Sequence, residues 1–279
     1  MDLLRLVDVG ARDGIDGRWT PFHYAIDVVA FEPDEVECAR LNSLRWPYAV
    51  RYLPVALGAA NGLAATLRIC KSPGCTSLLR PNRQLFGQFA YASNMEVVRE
   101  VPVILERMDA VVPWRPDAIK LDTQGTELDI LEGAGSLLGG VIAVELEVEF
   151  VPQYEDQPLF ADVDAFMRSH GFWLRGLKRS YWRQDASYTH PYGGQLIHGD
   201  ALYLRQEGLD SPKGHMILAA YNQFDLLARF GARALIPKRP MSARVLSTVL
   251  AGYSNRRLRR LVDYLRPDNA SDWHDADFF

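Results

Sequence analysis

A few acids and glycines stand at spacings that suit chemistry. Residues 7–14 read VDVGARDG, so Asp8 lies just ahead of a loop bracketed by Gly10 and Gly14. A carboxylate there offers a charge-assisted hydrogen bond to an ammonium group and would repel a pyrophosphate. The glycine spacing departs from the G-x-G-x-x-G of dinucleotide-binding loops, because Arg12 stands where the second glycine belongs. Glu32, 24 residues beyond Asp8, suits a pair of ribose hydroxyls. Ribose plus ammonium without pyrophosphate describes S-adenosylmethionine. Asp8 alone reads as a turn cap and Glu32 alone as a solvated strand end; their joint spacing carries the cofactor reading.

Strand ends must hold such residues. Leu3, Leu4, Leu6 and Val7 form a short apolar run typical of a strand buried on both faces, which puts Asp8 at its carboxyl end, where open parallel sheets bind ligands. IDVVAFEPD predicts a second strand ending near Phe31, followed by a helix from Pro33 through Leu41 that Pro47 stops. VRYLPVALG predicts a third strand. Short alternating runs from Leu63 to Leu79 and through VVREVPVILE predict an antiparallel excursion. DAIKLD and GVIAVELEVEF predict two more strands, separated by a helix from Thr126 that Gly133 closes. In LFADVDAFMRSHGF, Phe160, Val163, Phe166 and Met167 share one helical face and Gly171 ends the helix.

This alternation implies a doubly wound α/β fold with a mostly parallel sheet over residues 1–205. After Arg205 the character changes. Ser211 and Pro212 open a helix expected to end near Gly231, and ARVLSTVLAGYSNRRLRRLVDYLR continues the helical spacing. Residues 206–279 are therefore expected to form a helical appendage with an acidic tail, acting as a lid or a self-association surface.

The segments VDVGARDG, FEPD, VALG, IKLDTQGTELDILEGA and AVELEVEFVPQYEDQPLFADVDAFMRSHGF, in this order, resemble the FkbM family of S-adenosylmethionine-dependent methyltransferases over roughly residues 3–205. The resemblance implies a class I methyltransferase fold, Rossmann-like, and methylation of a hydroxyl on a sugar, glycan or polyketide-like product. Carried onto this sequence, Asp8, Gly10, Ala11, Arg12 and Gly14 form the cofactor loop, and Glu32 with Pro33 holds the ribose. Ala56 and Leu57 follow the third strand, and Asp122 with Gln124 sits beside the sulfonium. Two departures stand out: the sequence lacks the leading helices that many such enzymes use to cover the site, and the helical region after Arg205 lies outside the pattern.

Methylating a hydroxyl requires removal of its proton. Asp122, Glu145, Glu147, Glu149, His190 and His198 are the candidate bases. Asp122 is expected to position the cofactor, and His190, on an aromatic loop, to deprotonate the acceptor. Glu145, Glu147 and Glu149 alternate on a strand and so share one face, either solvated or, with Asp122, able to hold Mg²⁺. Tyr154, Trp182 and Tyr188 are expected to line the acceptor site.

Bulk properties narrow the field. A formal net charge of −4 gives no electrostatic reason to expect nucleic acid. No apolar segment approaches the roughly 18–20 residues of a membrane span, and Asp2 and Arg5 break the pattern of a signal peptide. Three cysteines without metal-like spacing suit reduced thiols in a cytoplasmic protein, and a self-associating appendage would make it a homo-oligomer. Against a catalytic reading stands a non-catalytic nucleotide- or partner-binding module on the same fold.

Overall fold

The computed structural model describes residues 3–89, 92–184 and 194–236. His190 and Tyr188 lie outside the described residues, as does the appendage from residue 237 onward. The strands are β1 (Leu4–Val9), β2 (Ile26–Phe31), β3 (Ala49–Leu53), β4 (Ala56–Leu57), β5 (Leu63–Cys70), β6 (Val97–Glu106), β7 (Ala118–Leu121), β8 (Ala143–Glu149), β9 (Trp173–Trp182) and β10 (Gln195–Leu204). The α-helices are α1 (Glu35–Ser43), α2 (Arg83–Phe86), α3 (Met108–Val111), α4 (Glu127–Ala134), α5 (Phe160–Ser169), α6 (Pro212–Ala220) and α7 (Phe224–Arg229).

Seven strands form the main sheet in the order β3-β2-β1-β7-β8-β10-β9. The first five are parallel, while β10 runs antiparallel to both β8 and β9. The strand order reverses beside β1, which opens a crevice at the carboxyl ends of β1 and β7. Val7, Val9, Val29, Phe31, Ile119, Leu121, Val144 and Leu146 are all buried, as expected for parallel strands covered on both faces. The expected antiparallel excursion is present: β5 and β6 pair antiparallel, and β4 joins β6 in a separate three-stranded sheet.

Several boundaries differ from the sequence reading, each for a local reason. VRYLPVALG is two strands, not one: β3 belongs to the main sheet and β4 to the small one, parted at Pro54. Helix α1 begins at Glu35 rather than Pro33, with Asp34 at its N-cap. Gly133 lies inside α4, and the helix ends at Gly135, whose φ of +50° suits a terminator. Gly133 is there for packing, since a Cβ would stand 2.1 Å from the carbonyl oxygen of Gly58. Alanine's helix propensity favours Gly133→Ala by ~1 kcal/mol, but overpacking costs ~1–3 kcal/mol. The variant is therefore expected to have a lower urea midpoint, and an unchanged or raised midpoint would show that α4 can move away from Gly58.

Helix α5 ends before Gly171 (φ +80°), as its sequence predicts. Ser211 caps α6 by accepting from the Gly214 N–H, also as expected. The helix does not run on to Gly231. It stops at Ala220, Asn222 takes φ +56°, and α7 starts at Phe224. The chain divides into two compact units, Met1–Leu226 and Leu227–Phe279. Helix α6 therefore belongs to the first unit, where Lys213 Nζ meets Asp117 Oδ2 at 2.9 Å. In the second unit the Ala232 N–H closes on the Leu227 carbonyl at 2.9 Å, and a 3₁₀ turn follows at Arg233–Leu235. No described helix is long and apolar enough to cross a membrane.

Candidate functional site

A cleft of about 780 Å³, its open mouth included, lies at the switch point of the main sheet. Its walls come from the loops leaving β1, β2, β3 and β7, and from the 3₁₀ turn at Pro73–Cys75. Of the cofactor residues expected from sequence, Gly10, Arg12, Glu32, Pro33, Ala56, Leu57, Asp122 and Gln124 line it. Asp8, Ala11 and Gly14 do not.

The floor is set by backbone. Gly10 and Ala11 N–H groups both donate to the Phe31 carbonyl, and the Asp122 N–H donates to the Val9 carbonyl at 2.9 Å. These bonds draw the loops after β1 and β7 together. Gly10 adopts φ +77°, and a Cβ on it would lie 1.9 Å from the Asp122 carbonyl oxygen. Gly14 serves a different purpose. Its missing Cβ makes room for the Trp46 indole, which would otherwise stand 2.1 Å away.

Glu32 is held at the end of β2. Its Oε1 accepts from the Asp34 N–H at 2.9 Å, and Arg12 Nε stands 3.6 Å from Oε2. Arg12 also donates to Asp34, whose other oxygen meets Arg99. Burial pushes the Glu32 carboxyl above its ordinary range, opposed by the Asp34 N–H and the Arg12 charge. A carboxylate fixed in this way accepts hydroxyl groups without rearranging.

The block IKLDTQGTE explains itself residue by residue. Lys120 is paired across the sheet with Asp8 on one side and Glu145 on the other, so the three side chains form one row. Asp122, after β7, points into the cleft. Gln124 (φ +60°) and Gly125 (φ +107°) make the turn. Glu127 then folds back, accepting from the N–H groups of Thr123 (2.6 Å) and Gly125 (2.9 Å). Burial, with the Glu147 charge adding to it, raises the Glu127 carboxyl to about 7. The sequence reading gave no role to Lys120 or Glu127. Their presence in the motif was the available signal.

Asp8 lies behind the cleft, 2% exposed, with Lys120 Nζ at 3.5 Å from Oδ1. It stands beside Lys120 and is not among the cleft's lining residues. Burial raises its carboxyl to about 6, partly offset by Lys120. Asp122 is the acid that does face the cleft. Its side chain is 42% exposed, in keeping with a place on the cleft wall.

Glu145, Glu147 and Glu149 share a face as expected, but that face is not solvated. Glu145 accepts from Arg18 on both oxygens at 3.0 Å and from the Tyr221 hydroxyl at 3.1 Å. Glu147 is buried, accepts from Gln124 Nε2 at 2.7 Å and stands 3.0 Å from His198 Nδ1. Glu149 is 2% exposed, and burial pushes its carboxyl well above the ordinary range. With Glu145 and Glu147 committed to these partners, the residues do not fit a Mg²⁺ site. Among the described residues no group of three or more His, Cys, Asp and Glu is placed to hold a metal ion.

Tyr154 is fully buried in a small cluster with Phe86 and Met95, rather than lining an open site. Its hydroxyl stands 3.0 Å from both the Cys75 carbonyl and Gln124 Oε1. Trp182 packs on Phe86 and Phe89 and meets the His198 ring edge-on at 6.2 Å. His198, one of the candidate bases read from the sequence, is thus brought beside Trp182.

A doubly wound sheet whose cleft sits at the ends of β1, β2, β3 and β7, with an acid after β2 and another after β7, defines the α/β fold of class I methyltransferases. Residues 8–174 match the family model described as the methyltransferase FkbM domain, and the chain belongs to that family. Among solved structures it is similar to methyltransferase FkbM from Methylobacillus flagellatus KT (14% identity, 71% of this chain and 44% of that chain covered, TM-score 0.40). It is also similar to magnesium protoporphyrin IX methyltransferase from Synechocystis PCC 6803 with bound SAM (12%, 74% and 71%, TM-score 0.39). A third is the TehB-like SAM-dependent methyltransferase from Corynebacterium glutamicum (9%, 74% and 82%, TM-score 0.35). The aligned part spans less than half the length of the Methylobacillus chain. No curated protein matches.

Proposed function

We propose that the chain is an S-adenosylmethionine-dependent O-methyltransferase acting on a hydroxyl of a sugar, glycan or polyketide-like product. The observation that carries the reading is the cleft of an FkbM-family chain lined by Glu32, after β2, and by Asp122, after β7. Glu32 would take the ribose hydroxyls, with Ala56 and Leu57 beside the base. Asp122, rather than the buried Asp8, would take the ammonium. The bound group would supply an electrophilic methyl carbon on a sulfonium. The protein's own task is then alignment of the acceptor oxygen, which can lower the barrier by several kcal/mol.

Calorimetry with S-adenosylmethionine, S-adenosylhomocysteine and NAD tests this reading. The first two are expected to bind and the third is not; at 100 times its dissociation constant a ligand adds about 2.7 kcal/mol of stability. Glu32→Ala is expected to weaken binding by roughly 1.5–3 kcal/mol, the range for hydrogen bonds to a charged group. Unchanged affinity with the fold intact removes Glu32 from the site, and binding of NAD alone removes the methyltransferase reading.

A further inference from the structure

We infer that His198, oriented by Glu147, is the base that removes the proton from the acceptor hydroxyl. This rests on the O-methyltransferase reading above and adds to it a residue on the acceptor side of the site.

The geometry starts at the cleft. Gln124 lines it, and its Nε2 donates to Asp122 Oδ1 at 3.1 Å and to Glu147 Oε1 at 2.7 Å. Two carboxylates on one side fix that end of the amide as the nitrogen, and the Tyr154 hydroxyl meets its oxygen. The turn residue Gln124 therefore ties the cleft acid to Glu147 in one orientation. The other oxygen of Glu147, Oε2, stands 3.0 Å from His198 Nδ1. The contact is short, although its alignment falls outside a full hydrogen bond.

A carboxylate beside Nδ1 selects the tautomer with the proton there and leaves Nε2 as an acceptor. Among the described residues nothing is hydrogen-bonded to Nε2. The His198 side chain keeps 22% of its surface exposed while Glu147 keeps 9%, so the ring is accessible and its partner is not. Trp182 stands edge-on to the same ring and offers an apolar wall to a sugar face. The only other histidine singled out as a base from sequence, His190, lies outside the described residues.

The step balances without a further reactant. As the acceptor oxygen bonds to the methyl carbon, its proton passes to His198 Nε2. The carbon–sulfur bonding pair goes to sulfur, whose positive charge is cancelled as the imidazolium forms beside Glu147. The titratable groups facing the ring are Glu147 from β8, Asp200 from β10 and Asp122 from the loop after β7, and Glu149 lies opposite His198 in the strand register. Burial pulls the imidazole down, but the Glu147 contact and these charges outweigh it and raise it above its ordinary 6.5.

Reaction with diethyl pyrocarbonate, mapped by peptide mass spectrometry across pH, reads this arrangement without an acceptor. His198 is expected to be modified at Nε2 with a midpoint above pH 6.5, and Glu147→Gln to lower that midpoint. His198→Gln is expected to leave S-adenosylhomocysteine affinity unchanged, because His198 is not among the residues lining the cleft. With methyl glycosides as acceptors, His198→Ala is expected to lower kcat by ~10²-fold or more and to flatten the acid limb of its pH profile. An unreactive His198, a midpoint indifferent to Glu147→Gln, or a rate within a few-fold of the parent overturns the assignment. Failure of S-adenosylhomocysteine to bind the parent protein overturns the underlying reading instead.

Discussion

Gly10→Ala is expected to be among the most damaging single substitutions in this chain, lowering the unfolding free energy by roughly 2–5 kcal/mol and weakening cofactor binding further. Two costs add. The residue sits at φ +77°, where an L side chain costs ~1–2 kcal/mol. Its Cβ would also stand 1.9 Å from the Asp122 carbonyl oxygen, a backbone atom that cannot swing away, and overpacking of that kind costs ~1–3 kcal/mol. Relief requires parting the loops after β1 and β7, which are joined by the Asp122 N–H bond to the Val9 carbonyl. That movement displaces the wall of the cleft carrying Asp122 and Gln124. Urea denaturation and calorimetry on the same sample separate the two losses. Gly14→Ala is the contrast: its clash is with the side chain of Trp46, and neither residue lines the cleft, so its effect is expected on stability more than on affinity. A Gly10→Ala protein with parent stability and affinity would mean that the loops are not held as close as the Asp122 bond implies.

Legibility from sequence followed the range of the interactions. Strands β1, β2 and β7 were readable because burial on both faces leaves largely apolar runs, β8 because its apolar residues alternate with Glu145, Glu147 and Glu149, and α5 because its apolar spacing and Gly171 agree. Part of the cleft was readable too, since Gly10, Glu32 and Asp122 follow strand ends, whereas the wall from Pro73 to Leu78 was not. The face shown by Asp8 was not. Leu4 and Leu6, on the same face as Asp8, are as buried as Val7 and Val9 on the other, so the run does not say which way the acid points. Its partner Lys120 lies 112 residues away and is set beside it only by strand register. Strands β9 and β10 escaped notice for a related reason: β9 is an edge strand with Arg and Lys along its length, and its half-buried pattern resembles a loop. The break between α6 and α7 was hidden because Asn222 reaches φ +56° without a glycine to mark it.

Lys120→Met is expected to destabilise the protein by ~3–5 kcal/mol at pH 8, the cost of leaving a buried charge without its partner. Lys120 Nζ stands 3.5 Å from Asp8 Oδ1 and 3.8 Å from Asp122 Oδ2, and Glu145 is its neighbour in the same row. Methionine fills the same space but leaves these acids facing one another; Glu145 retains Arg18, while Asp8 retains no cation. The pH dependence identifies Asp8 as the source. Its carboxyl is raised from 3.8 to about 6 with Lys120 in place, so the folded protein binds this proton more tightly than the unfolded chain. That contribution is fully present below pH 3.8 and is lost as pH rises through about 6. Without Lys120 the folded value moves higher, and the window of loss extends above 6. The deficit of Lys120→Met relative to the parent is therefore expected to be largest at pH 8 and to shrink at pH 5, where Asp8 is protonated in both proteins. Urea midpoints at the two pH values measure it. A deficit of equal size at pH 5 and pH 8 would assign the loss to packing rather than to charge, and the absence of any deficit at pH 8 would remove the Asp8–Lys120 pair from the forces that hold β1 against β7.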